Sequence, residues 1–591
     1  MTSTNRITKH LNFLYGETRA RQILPLLEHK LSNFSDRHPQ LRDITNPKLS
    51  EKDSVLITYG DQINEPGAAP LKTLAEFLAK EIQDLITIIH ILPFYPYSSD
   101  DGFSVIDYRQ VDPDLGTWRD ITRLGKNFRL MFDGVINHIS RQSEWFKNYL
   151  QTDEEFQDYF ITVEPDTDLS MVVRPRALPL MTPVETVDGK RYVWTTFSSD
   201  QIDLNYANPD VLLEIIDLLL FYIENGAEII RLDAIAYLWK EVGTSSIHLP
   251  QTHHVVKLFR AVLDVVAPGV ILITETNVPH EENISYFGEP LNEDDSSIPR
   301  GDEAQMVYQF SLAPLVLHTF LTGDSRALTE WARSLVVPFS TATYLNFIAS
   351  HDGIGIRPAE GLLSQEEIQA LTERTQEHGG QVSYKSNSDG TQSAYELNIT
   401  LFDALNNPHN PQPDLDVDRF LASQAIMLSL AGVPGIYVHS LFGSRNCYSC
   451  YQKSGRARSL NREKFKLANL EAALLDPESN TSQVFSGYKQ LLQARKENSA
   501  FHPFGAQKVF AIGDQAFAVL RSSPRNEHSI LCLVNVSPEI ITIDLTPITS
   551  VLAQYHKWTD LITHQSFDTA VDQPKLTVQA YQYLWLSPTE V

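Results

Sequence analysis

Three cysteines, Cys447, Cys450 and Cys532, are all that the 591 residues contain. So few exclude a disulfide framework and make a reducing cytoplasm the simplest compartment. Basic residues are also scarce: 48 Lys and Arg stand against 74 Asp and Glu, a formal net charge of -26. That balance argues against nucleic acid or an anionic membrane as partner, and any anionic ligand must be held by a local basic pocket against the global field. No apolar run approaches the roughly 20 residues of a membrane span, and Met1 to His10 are polar with no signal-peptide core, so a soluble intracellular chain is expected. Internal repeats and low-complexity tracts are missing. So is a phosphate-binding glycine loop, since Gly379-Gly380 and Asn387 to Gly390 read as turns without a Lys-Ser or Lys-Thr ending. What is present is ordinary for a globular protein, 42% hydrophobic and 21% charged residues, in a chain long enough for a large core and more than one domain.

Residues 1 to about 50 read as a polar amphipathic helix with Leu11, Phe13, Leu14, Ile23, Leu26 and Leu27 as candidate buried positions and breaks near Pro39 and Pro47. From Ser54 short apolar runs alternate with helical stretches. The runs are Ser54 to Tyr59, Ile86 to Leu92, Arg129 to Val135, Ile229 to Ala234, Val270 to Thr274, Met306 to Phe310, Tyr344 to Ile348 and Gly435 to His439. Helical patterns include Leu71 to Asp84, Thr252 to Val266, and Asn208 to Asn225, where Asn208 is a natural N-cap and Pro209 the first helical residue. Eight such units predict an α/β fold, a (β/α)8 TIM barrel. Two connections, about 139–207 and 353–412, are longer than a barrel needs, which marks them as functional insertions. Gln515 to Leu520, Ser529 to Val536 and Tyr581 to Leu586 predict a C-terminal antiparallel β-domain. The divisions are thus a helical N-terminal appendage at 1–50, barrel segments at 51–138, 208–352 and 413–504, inserted subdomains at 139–207 and 353–412, and a β-domain at 505–591.

Polar residues of one kind close several strands: Tyr59-Gly-Asp61, Asp133 to Asn137-His138, Arg231-Leu-Asp233, Thr274-Glu275-Thr276-Asn277 and Ser350-His351-Asp352. A single acid at a strand end reads as a cap or a structural ion pair, but five on the rim that usually carries barrel chemistry read as a site. Clustered carboxylates suit glycoside chemistry, in which one acts as nucleophile and a second, about 5 Å away, as acid and then base. Arg231, on the same strand face as Asp233, is expected to hold Asp233 ionised, and Glu275 needs a raised pKa, which crowding among carboxylates produces. Asp352 would bind sugar hydroxyls.

In order and spacing, Asp133 with Asn137-His138, Arg231-x-Asp233, Glu275 and His351-Asp352 resemble the four signature regions of the alpha-amylase family, family 13 of the glycoside hydrolases. Val173-Arg174-Pro-Arg176-Ala-Leu-Pro179, Val193-Trp194-Thr-Thr-Phe197 with Gln201-Ile-Asp203, Arg231 to Tyr237 with Lys240 to Thr244, and His351-Asp352-Gly-Ile-Gly355 are similar to its sucrose-phosphorylase subgroup. The resemblance implies Asp233 as nucleophile, Glu275 as acid/base and Asp352 as transition-state stabiliser. It implies Asp61, His138, Arg231 and His351 around the glucosyl ring, Phe197 and Gln201 near the glucosyl and acceptor sites, and Arg176, with Arg174, facing phosphate. A guanidinium fork suits a phosphate dianion in so acidic a protein.

One position departs from sucrose phosphorylases, which carry a histidine two residues after the acid/base where this chain has Asn277. Glu275 to Gly288, Ser350 and the N-terminal appendage look more like sister enzymes acting on glucosylglycerate or sucrose 6'-phosphate. Both leaving groups are anionic, and Lys385 is a candidate for a second basic contact. The expected activity is retaining phosphorolysis of an α-glucoside, glucosylglycerate first, then sucrose 6'-phosphate or sucrose, giving α-glucose 1-phosphate. The alternatives are an α-glucosidase or transglucosidase of the same family, or a non-catalytic homologue, which would be expected to lack one of the three carboxylates. Partners are a small sugar and inorganic phosphate. No cofactor or metal is expected: pyridoxal phosphate is not implied, and Asn137 sits where many amylases bind calcium while the resembled subgroup generally does without. Cys447-x-x-Cys450 has no second pair for zinc, and His253-His254, His280 and His318 read as helix or loop surface.

Overall fold

The computed structural model describes residues 3–44, 49–176, 178–291, 300–386, 391–549, 557–568 and 575–589. Each of the eight apolar runs forms a parallel strand: β1 (Val55–Thr58), β2 (Ile88–Ile91), β3 (Arg129–Gly134), β4 (Ala227–Leu232), β5 (Ile271–Thr274), β6 (Met306–Gln309), β7 (Thr343–Asn346) and β8 (Val433–Tyr437). Strands pair in sequence order, and β1 pairs with both β2 and β8, closing the barrel. Every residue of β1, β2 and β5 is buried, because one face meets the barrel interior and the other the surrounding helices. In register Asp133 stands beside Arg231 and Arg231 beside Ile273, so β3, β4 and β5 end level.

Helix α1 (Ser3–Arg37) lies against the barrel, α2 (Pro209–Glu224) precedes β4, and α3 (Pro250–Val266) precedes β5. Asn208 caps α2 by accepting from the Asp210 amide, and Gly226, at φ 101°, turns the chain into β4. In α1, Ile7, Leu11, Ile23, Leu27, Leu31 and Phe34 join the main core, and Arg6 pairs with Asp264 of α3 at 2.7 Å. Phe13 and Leu26 instead face outward, 49% and 57% exposed. Phe13 lies flat on the His254 ring at 3.6 Å. The helix runs through Pro25 to Arg37, and Pro39 opens a short 3-10 turn; Pro47 falls outside the described residues. With α1 laid over α3, His254 is half-buried at 3.2 Å from His10, while His253 stacks on Tyr286 and meets Glu303, and His318 is buried. These histidines are therefore packing groups, not surface ones.

After β3 the chain forms His138–Ser140, which pairs antiparallel with Gln201–Asp203, and a hairpin of Met181–Thr186 with Gly189–Trp194. After β7 come Ile354–Gly355, the helix Gln365–Glu377 and a hairpin of Gln381–Ser386 with Gln392–Asn398. The C-terminal strands Ala506–Phe510 (β9), Ala516–Ser522 (β10), Ser529–Asn535 (β11), Lys557–Asp560 (β12), Ser566–Asp568 (β13) and Tyr583–Thr589 (β14) form an antiparallel sheet with its own core around Leu531, Leu533 and Trp558. Buried Arg521 ties this sheet to the barrel, donating to the Ser429 and His502 carbonyls at 2.9 and 2.8 Å. Cys447 and Cys450, read from sequence only as a pair without a second pair for zinc, form a disulfide. They flank the first turn of the helix Tyr448–Ser454, which sets their Cα atoms 5.2 Å apart, within bridging distance. Among the described residues no helix is long and apolar enough to cross a membrane.

Candidate active site

The carboxyl ends of the strands surround a narrow cavity. β4 ends at Leu232, so Asp233 and Ala234 form its lip. Ala234 adopts φ 48°, a left-handed conformation unusual for a residue with a Cβ, and its N–H donates to Glu275 at 2.9 Å. Buried Arg231 ties the floor together: Nη1 donates to Asp133 and, at 2.7 Å, to Asp233, while Nη2 lies 3.8 Å from Glu275. Asp133 is held on its other side by His90 at 2.7 Å. Burial outweighs the attraction of Arg231, and the acids repel one another, so the Asp233 carboxyl is pushed up to about 8 and that of Glu275 is raised as well. Arg231 alone therefore does not keep Asp233 at an ordinary carboxylate pKa, a correction to the simple ion-pair picture. The guanidinium bond to Asp233 favours negative charge there, while Glu275, farther from the same guanidinium, is raised chiefly by burial.

Asp352, in the turn after β7, has the opposite environment. Burial disfavours its charge, but Arg458 at 2.8 Å, His351 and Arg462 hold it well below the carboxylate range. Arg458 also makes two bonds to Glu396, 2.6 and 3.3 Å long, and lies 3.7 Å from Asp100. Asp100 is kept at about 2 despite burial by Arg176, Arg458 and Arg462. Gly353 lets this turn approach the second insertion: its φ is 92°, and a Cβ there would meet the Leu397 carbonyl at 2.3 Å.

Asp233, Glu275, Asp352, His138, Arg176, Phe197, Gln201 and Asn277 all line the cavity. Asn137 donates to His138 Nδ1, and His138 Nε2 faces the Phe103 carbonyl at 2.8 Å, an arrangement that suits the neutral ring that burial enforces. Arg231 and His351 lie just beneath the wall. His351 stacks on Phe103 at 5.0 Å, is pushed down to about 3 by burial, and has its Nε2 3.4 Å from Asp352. Among the described residues Asn277 Oδ1 has no hydrogen-bond partner. Lys240 places its ammonium between Asn137 and Asp203 at 2.7 and 2.8 Å.

Three expected contacts fall outside. Asp61 is engaged by Lys464 at 2.6 Å, Arg174 is exposed away from the cavity, and Lys385 pairs with Glu360 at 3.1 Å. Lys385 follows Tyr384 on a strand, so when Tyr384 faces the site its neighbour faces away. In their place the structure brings in Asp100, Tyr395, Glu396 and Arg458. Asp100 had a visible signal, an acid pair before Gly102-Phe103 in the loop after β2. Arg458 had one as well, in the three arginines of Arg456-Ala-Arg458-Ser-Leu-Asn-Arg462 after β8.

The catalytic-domain model of the alpha-amylase family matches residues 79–352. A glucosylglycerate phosphorylase of Spirochaeta thermophila is 49% identical over 100% of this chain and 99% of its own. That of Escherichia coli is 45% identical over 92% of this chain and 94% of its own. The crystal structure of sucrose 6F-phosphate phosphorylase from Thermoanaerobacter thermosaccharolyticum superposes with a TM-score of 0.70 at 23% identity, covering 89% of this chain and 98% of that one, a likeness of fold.

Proposed function

The chain belongs to the alpha-amylase family, and within it we propose that it is a glucoside phosphorylase that moves glucose from glucosylglycerate to inorganic phosphate, giving α-glucose 1-phosphate. Full-length identity near one half to glucosylglycerate phosphorylases supports the substrate. The observation that carries the chemistry is the convergence of Asp233, Glu275 and Asp352 on one cavity that also exposes Arg176.

Asp233, aligned by Arg231, attacks the anomeric carbon while Glu275 gives its proton to the glycosidic oxygen, and glycerate leaves. The product is a β-glucosyl ester on Asp233. A phosphate oxygen then attacks the same carbon, Glu275 takes up a proton, and the ester breaks. Two inversions give net retention. Asp352, kept ionised by Arg458, stabilises the positive charge that develops on the ring, and Asp100 binds sugar hydroxyls beside it. The Oδ1 of Asn277, unpartnered among the described residues, is available to a bound sugar or acceptor. Arg176 faces the incoming phosphate. No cofactor beyond the two substrates is proposed, and the location proposed is the cytoplasm, since the reaction consumes free phosphate and makes a charged sugar.

The test supplies glucosylglycerate with and without phosphate and measures glucose 1-phosphate. It should form only when phosphate is present; equally fast release of free glucose in phosphate-free buffer removes the phosphorylase reading in favour of a hydrolase.

A further inference from the structure

The catalytic cavity opens into an outer vestibule, sharing Asp100, Arg176, Tyr395, Glu396 and Arg458 with it. Four arginines and four acids line this vestibule, Arg176, Arg456, Arg458 and Arg462 against Asp100, Asp101, Asp200 and Glu396. Three of the arginines are committed to internal carboxylates. Arg176 reaches Asp100 at 3.3 Å, Arg458 joins Asp352 and Glu396, and Arg462 joins Asp101 at 2.6 Å. Arg456 is exposed, and among the described residues its guanidinium has no ion-pair or hydrogen-bond partner. Its backbone is nevertheless fixed. The Arg456 N–H donates to Ser454 at 3.1 Å, its carbonyl accepts from Ser459 at 3.0 Å, and Gly455 at φ 66° sets the turn that precedes it. Ser198, Ser199, Ser383 and Ser459 supply neutral hydroxyls to the same space.

Resting on the phosphorylase reading, we propose that Arg456 captures the two anionic substrates, glycerate-type carboxylates and inorganic phosphate, in the vestibule before they reach the acids within. A protein of formal charge -26 repels both. Paired arginines cancel their acids and offer little net attraction, whereas a guanidinium without a counter-ion, carried on a fixed stretch of backbone, presents a full positive charge and a two-donor fork. Such a contact is screened by salt. It acts on capture more than on bond breaking, so it separates anionic from neutral acceptors.

The experiment compares the parent with Arg456→Gln and Arg456→Lys in synthesis from α-glucose 1-phosphate with glycerate or with glycerol, at low and high salt. Arg456→Gln should raise KM for glycerate by about 2- to 5-fold, the scale of one exposed charge pair, flatten its salt dependence, and change KM for glycerol less; Arg456→Lys should recover most of the effect. Calorimetric titration of inorganic phosphate into parent and Arg456→Gln gives a readout free of the acceptor, and a weaker Kd is expected. Unchanged phosphate Kd together with unchanged salt dependence overturns the capture role. Absence of glycerate-dependent turnover in the parent overturns the substrate reading instead, and the phosphate titration then still decides Arg456.

Discussion

At the scale of single residues, Asp233 and Glu275 are both buried and differ in their donors, the Arg231 guanidinium at 2.7 Å for Asp233 and the Ala234 N–H at 2.9 Å for Glu275. Replacing Asp233 by Asn should lower turnover by roughly six orders of magnitude, as for loss of a nucleophile, with circular dichroism unchanged; retained turnover removes it from that role. Glu275 carries a signed prediction. Its folded-state pKa is raised above the ordinary 4.5, chiefly by burial. A raised acid binds more protons in the folded than in the unfolded state, so its contribution falls as pH rises from about 4.5 through the folded value. Glu275→Gln should therefore melt higher than the parent at pH 8, with the advantage shrinking toward pH 5, while phosphorolysis drops by about 10²- to 10⁴-fold. A parent that is equally or more stable than the variant at pH 8 contradicts the assigned shift.

At the scale of elements, the turn after β7 depends on Gly353. Substitution by Ala adds a strained φ and a contact with the Leu397 carbonyl at 2.3 Å, so either Asp352 or the hairpin bearing Tyr395 and Glu396 must move. Gly353→Ala should cut kcat/KM by at least about 10-fold, measurable by initial rates in phosphate. Helix α1 offers the contrast. Leu27 is fully buried, so Leu27→Ala should cost about 2–5 kcal/mol of stability, read by denaturant unfolding, with KM unaltered. The eight strands were legible because β-strands buried on both faces write themselves as apolar runs, and polar residues at their ends announced Asp233, Glu275 and Asp352. Loops leave no comparable trace. The resemblance implies Asp61 and the anionic leaving group suggests Lys385, yet each is neutralised by another loop's residue, Lys464 or Glu360. Asp100, Glu396 and Arg458 were missed because only the closing of three separate loops makes them neighbours.

At the scale of the whole molecule, the barrel and the C-terminal sheet are joined by an arginine that faces carbonyls rather than acids. Arg521 of the sheet donates to the Ser429 and His502 carbonyls of the barrel, much as Arg495 within the barrel donates to those of Asp53, Gly432 and Phe501. Burial pulls Arg521 down to about 10. Replacing it by Ala leaves several buried carbonyls without donors, at about 1–3 kcal/mol each, and should lower Tm or split the calorimetric transition in two. A single unchanged transition argues against this join.

Arg458 draws the same lesson out in time. Synthesis proceeds from the N-terminus, so Asp100, Asp352 and Glu396 leave the ribosome well before the guanidinium that reconciles them, and β1 waits through nearly 380 residues for β8. Until then a growing chain has two unpaired sheet edges and a cluster of mutually repelling acids. The reaction centre is therefore completed only after the chain has passed Arg458, and no unfinished chain that stops short of it carries a working one.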